Sequence, residues 1–238
     1  MEKSFEELDY TKTDRGELIL RRRKVPMLDN RVVYEVLLGD EFLMSSLFHE
    51  AEDALARLGI AELEPSSESL EIVVGGLGLG HTAATALECP EVTSLVVIEV
   101  FPEVITWHER GLVPLGRRLA LDPRCRLLQG DFFSMADGDG FDPANPNRRF
   151  HAVLLDIDHT PEHWLHPDHA AFYSVEGLRT LQKHLLPGGV FALWADGRPS
   201  ETFTSLLHSV FKQARAECIA FPNPIRGGES HGTVYVAT

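Results

Sequence analysis

The stretch EIVVGGLGLGHTAATALE, Glu71 to Glu88, decides the fold. Its first residues suit a buried strand, the glycines that follow suit a tight turn, and the alanine-rich remainder suits a helix. A chain uses this order where something lies against bare backbone at the start of a helix, because glycine leaves the main chain uncovered. Downstream, strand-like runs recur at LEIVV, SLVVIEV, CRLLQG, HAVLLDI and GVFALWA. Helical patterns separate several of them, among them PEVITWHERGL, VEGLRTLQKHL and ETFTSLLHSVFKQA. Nearly continuous apolar strands alternating with amphipathic helices predict an α/β fold, a doubly wound, mostly parallel sheet covered on both faces. AECIAFP and GTVYVAT close the chain as a predicted terminal hairpin around NPIRGGES.

Upstream, GELILRRRK and RVVYEVLLG read as two strands joined by the turn residues of PMLDN. SSLFHEAEDALARLG then reads as a helix, with Ser45 or Ser46 as its cap and Gly59 as its end. The polar linker EPSSES sets the predicted boundary between Leu63 and Ser69. Residues 1–64 are thus a small N-terminal β-hairpin appendage with a helix, and 65–238 a nucleoside-binding α/β domain.

Across 238 residues, 44% are hydrophobic and 24% charged, the balance of a soluble globular chain with a sizeable core. A formal charge of -14 argues against nucleic acid as a partner, since phosphate binding wants a basic surface. The basic run Arg21 to Lys24 is read as a solvated strand face or a dimer contact. No apolar run approaches membrane-spanning length, and the acidic start MEKSFEELDY lacks a signal core, so a cytoplasmic protein is expected. Cys89, Cys125 and Cys218 are odd in number and far apart, which suits reduced packing residues.

In sheets of this kind ligands lie beyond the carboxyl ends of the strands, where strand order reverses. Three acids stand at predicted strand ends: Glu99, Asp131 and Asp156. A dinucleotide fingerprint wants Gly-x-Gly-x-x-Gly, and His81 occupies its third glycine position. Spaced as Gly76-x-Gly78-x-Gly80, the turn fits the nucleoside loop of class I S-adenosylmethionine-dependent transferases. Glu99 suits two ribose hydroxyls, although it would serve NAD equally well, and Asp131 suits an exocyclic adenine amine.

With these elements in register, the chain resembles the spermidine synthase-like branch of the class I methyltransferase superfamily. MLDNRVVYEVLLGDEFLMSSLFHE is similar to that branch's N-terminal hairpin and helix, and VVGGLGLG, LVVIEVFPEVI, DPRCRLLQGDFF and AVLLDID follow in its order. The resemblance implies that Gly76 to Gly80 hold the sulfonium and its tail, Glu99 the ribose and Asp131 the adenine end. It also implies that Asp156 is the catalytic carboxylate, that the co-substrate is S-adenosylmethionine or its decarboxylated form, and that the protein is a homodimer.

Two departures bear on the acceptor. Aminopropyl-transferring members carry an aspartate in the glycine loop, where this chain has Gly78. Their second acid after the fourth strand is His159 here, with Asp158 one residue early, and their tyrosine and glutamine correspond to Met44 and Ser45. Methyl transfer to a small molecule, such as an amine, is therefore placed slightly ahead of aminopropyl transfer to a polyamine. A non-catalytic nucleoside-binding protein is the alternative from another class, and it would make Asp156 dispensable. His159 is a second candidate base, and Asp158, Trp164 and Tyr173 are candidate acceptor contacts. His159, His163, His166 and His169 crowd one segment, but Pro161 and Pro167 break any regular spacing, so the segment is read as a polar loop without metal.

Overall fold

The computed structural model describes residues 4–64 and 69–238. Seven strands form the central sheet: β5 (Leu70–Gly75), β6 (Val92–Glu99), β7 (Cys125–Gln129), β8 (Phe150–Leu155), β9 (Leu185–Asp196), β10 (Ala214–Pro222) and β11 (Glu229–Ala237). Their order is β10-β11-β9-β8-β5-β6-β7. From β9 through β7 neighbouring strands are parallel, and the terminal hairpin β10–β11 adds antiparallel to β9. The doubly wound prediction holds, and strand order reverses between β5 and β8.

Successive residues of the central strands point into two different cores, which is why these strands read as unbroken apolar runs. Ile72, Val74 and Leu154 join one core with Leu55 of α1 (Glu50–Ala61), Ala83 of α2 (His81–Ala86), Trp107 of α3 (Pro102–Arg110) and Leu119 of α4 (Gly116–Ala120). Val73, Val153 and Leu155 join the other with Phe132 of α5 (Phe132–Asp137), Leu178 of α6 (Val175–Gln182) and Phe203 of α7 (Glu201–His208). Ser174 and Ser200 cap α6 and α7 by accepting from Gly177 N and Phe203 N.

The N-terminal appendage is larger than the predicted hairpin. It is a four-stranded antiparallel meander, β1 (Phe5–Thr13), β2 (Gly16–Val25), β3 (Arg31–Leu38) and β4 (Glu41–Ser45). The predicted turn lies between β2 and β3, with Asp29 and Asn30 both at positive φ. Leu18, Leu20 and Val36 on this sheet join the first core of the central domain. The RRRK run is absorbed within the sheet, Arg21 and Arg23 on Glu35 and Arg22 on Glu6.

Helix α1 differs from expectation at both ends. Its N-cap is His49, because the serine hydroxyls already serve the sheet edge: Tyr34 N donates to Ser46 Oγ and Leu47 N to Ser45 Oγ. Gly59 does not end the helix but lies inside it, where a Cβ would meet Leu154 Cδ2 at 2.6 Å. The expected domain boundary falls on residues 65–68, outside the described residues. Among the described residues no helix is long and apolar enough to cross a membrane, and all three cysteines are free.

Candidate functional site

A cleft of about 780 Å3, counted to its open mouth, lies between the N-terminal sheet and the carboxyl ends of the central strands. Gly76, Gly78, Glu99, Asp131 and Asp156 all line it. Its walls are otherwise mainly apolar: Leu18, Val36, Leu38, Leu43 and Met44 come from the N-terminal sheet, and Ile98, Phe101, Phe132, Phe133 and Leu165 from the central domain.

The three glycines of the loop, all at positive φ, serve different neighbours. A Cβ on Gly76 would lie 2.0 Å from the Asp156 carbonyl oxygen, so β5 can leave the sheet beside β8 only with glycine there. A Cβ on Gly78 would meet Met44 Sδ at 2.7 Å, so the N-terminal sheet covers this position directly. Gly80 faces away from the cleft, where a Cβ would meet Leu119 at 2.5 Å. Its bareness serves helix packing.

Glu99 ends β6 and is buried, with Leu77 N donating to Oε2 at 3.1 Å and Phe101 N to Oε1 at 2.9 Å. Burial raises its pKa, and those backbone donors work against the shift. Asp131 caps α5 by accepting from Ser134 N at 2.9 Å, and its other oxygen accepts from Arg15 Nη2 at 2.8 Å. Burial acts to raise Asp131, but the Ser134 amide and Arg15 outweigh it and hold the carboxyl below its ordinary value. Arg15 sits in the two-residue turn between β1 and β2, so this ion pair joins the N-terminal sheet to the far side of the cleft.

Asp156 follows β8, and its Oδ2 accepts from Thr82 Oγ1 at 2.7 Å. Burial pushes its pKa up to about 6, opposed by the Thr82 hydroxyl. Glu52, in the first turn of α1, is pushed up to about 8 by burial and then by the Asp156 charge. The pair binds protons jointly, as neighbouring carboxylates do. Sequence reading missed Glu52, because an acid in the first turn of a helix ordinarily reads as a partner of the helix dipole.

The other singled-out residues lie outside the cleft lining. Asp158 is 1% exposed and fully engaged, taking His169 Nδ1 at 2.8 Å, Tyr173 OH at 2.9 Å and Leu165 N at 2.7 Å. It anchors the loop after β8. Tyr173 is buried among Phe133, Phe172 and Phe203. His159 Nε2 meets Glu41 Oε1 of β4 at 2.7 Å. Trp164 is 36% exposed and donates Nε1 to Pro161 O. His169, not assigned from sequence, does line the cleft, stacked on Phe133 at 3.8 Å. Asp158→Ala leaves the buried Tyr173 hydroxyl and His169 without their acceptor, and it is expected to destabilise the protein by about 3 kcal/mol in chemical denaturation.

No family model matches the chain. In fold it is similar to a spermidine synthase solved with the transition state analogue AdoDATO, with a TM-score of 0.69 and 16% identity over 96% of this chain and 71% of that one. Spermidine synthase from Thermotoga maritima gives 0.70 and 16% over 96% and 72%. Human methyltransferase-like protein 13 in complex with SAH gives 0.56 and 19% over 79% and 82%. The chain has the fold these proteins share. A match over 96% of the chain leaves too few residues outside it to omit the four-stranded N-terminal sheet.

Proposed function

We propose that this protein is a transferase that moves an alkyl group from a sulfonium nucleoside to a small-molecule amine. One observation carries the reading: five residues from four separate strand ends and turns, Gly76, Gly78, Glu99, Asp131 and Asp156, line a single apolar cleft at the point of strand reversal. Glu99 takes the ribose hydroxyls with its remaining lone pairs. Asp131 takes the adenine amine, with Arg15 closing that end. The glycine loop lies along the sulfonium. Solved neighbours of the same fold in complex with AdoDATO and with SAH support a nucleoside of this kind as the ligand.

The chemistry asks little beyond alignment. The acceptor nitrogen attacks the carbon bonded to sulfur, that bond breaks, and its electron pair leaves on a neutral thioether. The new ammonium then loses a proton. Thr82 engages Asp156 Oδ2, which leaves Oδ1 to orient the amine and take that proton. Asp158 and Tyr173 act through the loop they hold, and His159 through its tie to Glu41.

Methyl transfer from S-adenosylmethionine is the first reading, since Gly78 lacks the acid of aminopropyl-transferring relatives. Aminopropyl transfer from the decarboxylated donor is the second reading. The three free cysteines fit a reducing cytoplasm. The N-terminal sheet leaves Phe5, Val32 and Phe42 exposed, which suits a homodimer contact there.

Calorimetric titration with S-adenosylmethionine, its decarboxylated form, methylthioadenosine and NAD tests the reading. Tighter binding of the intact donor supports methyl transfer, and preference for the decarboxylated donor supports aminopropyl transfer. Glu99→Gln should weaken the preferred nucleoside about 100-fold, by losing a charged acceptor for the ribose. Binding of none of the sulfonium nucleosides by folded protein, or of NAD alone, sinks the proposal. Tight nucleoside binding with no turnover on any amine, unchanged in Asp156→Asn, identifies a binding protein instead.

A further inference from the structure

We propose that His49, Asp53 and His81 form a binding site for a first-row divalent metal ion where α1 meets the start of α2. The site stands on its own geometry and does not depend on what the cleft binds. Each residue offers one ligand atom, and these atoms lie within 4.8 Å of one another. His49 Nδ1 and Asp53 Oδ2 are 3.0 Å apart. Two donors held at 2.0–2.1 Å from one ion stand roughly 3.0 Å apart at a right angle and roughly 3.4 Å apart at a tetrahedral one. The His49–Asp53 pair already has that spacing.

The backbone explains how three such residues converge. His49 is the N-cap of α1, Asp53 lies one turn on along the same helix, and His81 is the first residue of α2. The imidazoles of His49 and His81 stack at 4.2 Å and 4°. One ring must turn about its χ2 bond to aim its lone pair at a shared ion, and both rings are half-buried. Asp53 is already oriented from behind, because Thr85 Oγ1 donates to its Oδ1 at 2.8 Å. Such outer partners fix a ligating carboxylate and leave its second oxygen for the metal.

The charges also fit. The ion takes the place of the hydrogen-bonded proton between His49 Nδ1 and Asp53 Oδ2, and Glu50 adds negative charge in the same turn. Arg57 approaches Asp53 Oδ2 only at 3.8 Å, and it is 60% exposed and shared with Glu88, so it can swing aside. Two imidazoles and one carboxylate select zinc, cobalt or nickel over calcium and magnesium, which want oxygen donors. Three protein ligands leave a coordination position open. The crowded histidines after β8 make no comparable group among the described residues: His169 serves Asp158, and His159 serves Glu41.

The test uses untagged full-length protein, stripped with chelator and titrated with Co2+ while its visible absorption is followed, then competed with Zn2+. One equivalent is expected to bind, displaced by Zn2+ but not by excess Mg2+ or Ca2+. His49→Gln and His81→Gln should each weaken Co2+ binding at least about 100-fold. Asp53→Asn, which keeps the side-chain shape, should also weaken it. The His163→Gln, His166→Gln double variant should bind like the wild type. Absence of a Co2+ spectrum in the wild type overturns the proposal. So does a spectrum that survives in all three ligand variants, or one lost only in the loop variant.

Discussion

Gly76→Ala is expected to destabilise the protein by about 4 kcal/mol or more, to the edge of unfolding, while Gly188→Ala should lose only about 1 kcal/mol. Both glycines have positive φ, +93 and +76, so both substitutions carry the left-handed penalty of roughly 1–2 kcal/mol. They differ in what surrounds them. A Cβ at Gly188 meets nothing within 4 Å, whereas at Gly76 it lies 2.0 Å from the Asp156 carbonyl oxygen. That oxygen is main chain at the end of β8 and cannot rotate away. Asp156 N donates to Gly75 O at 2.8 Å and Gly76 N to Ile98 O at 2.9 Å, so displacement loosens three strands where the cleft floor is built. Urea midpoints of the two variants check the contrast. Equal losses would mean that φ alone governs both positions and that the close approach relaxes freely.

The second large effect belongs to Glu52 and Asp156. Unfolded, both carboxyls ionise near pH 4, as ordinary acids do. Folded, Asp156 keeps its proton to about pH 6 and Glu52 to about pH 8. The folded protein therefore holds more protons across that window, and the contribution of this pair to stability falls as pH rises from about 4 to about 8. Asp122, Asp131 and Asp142 have the opposite sign: their folded pKa values are depressed, so their contribution is lost on acidification below about pH 4. Glu52→Gln removes the charge that burial and Asp156 disfavour, and it is expected to raise stability at pH 8 by about 2 kcal/mol with little change at pH 5. In catalysis, Asp156→Asn should lower turnover between about 100- and 10,000-fold. Glu52→Gln should leave the acidic limb of the pH–rate profile near pH 6, since Glu52 is still protonated and uncharged where Asp156 ionises. A stability profile between pH 5 and 8 unmoved by Glu52→Gln would separate the two residues and end the paired assignment.

How far these features could be read from sequence follows from what each contact spans. The central strands were legible because burial on both faces leaves runs such as Ile72–Val74 and Leu95–Ile98 apolar throughout. Strand β1 was not, because its residues FEELDYTKT alternate between exposed and half-buried positions, as an edge strand's do. The glycine loop and the acids Glu99, Asp131 and Asp156 could be found because each follows a recognisable strand. Glu52 could not, since its partner is on another element far along the chain. The inward turn of Asp158 was not legible for a related reason. Spacing alone cannot say that this acid turns inward to Tyr173 and His169 while Asp156, two residues before it, faces the cleft.

The cover over the cleft has a consequence for how the chain folds. Three ties hold the N-terminal sheet in place: Trp107 Nε1 to Asp9, Arg15 to Asp131, and His159 to Glu41, at sequence separations of 98, 116 and 118 residues. Closing loops of that length has a large entropic cost before any contact offsets it, so such contacts form late. During synthesis the cover is made first and waits for a floor still inside the ribosome. Until β8 and the loop after it emerge, Leu18, Val36 and Met44 face water instead of the cleft. The interval in which this protein is most exposed to misassembly is therefore the same interval in which its ligand site does not yet exist, and a ligand can stabilise only the finished chain.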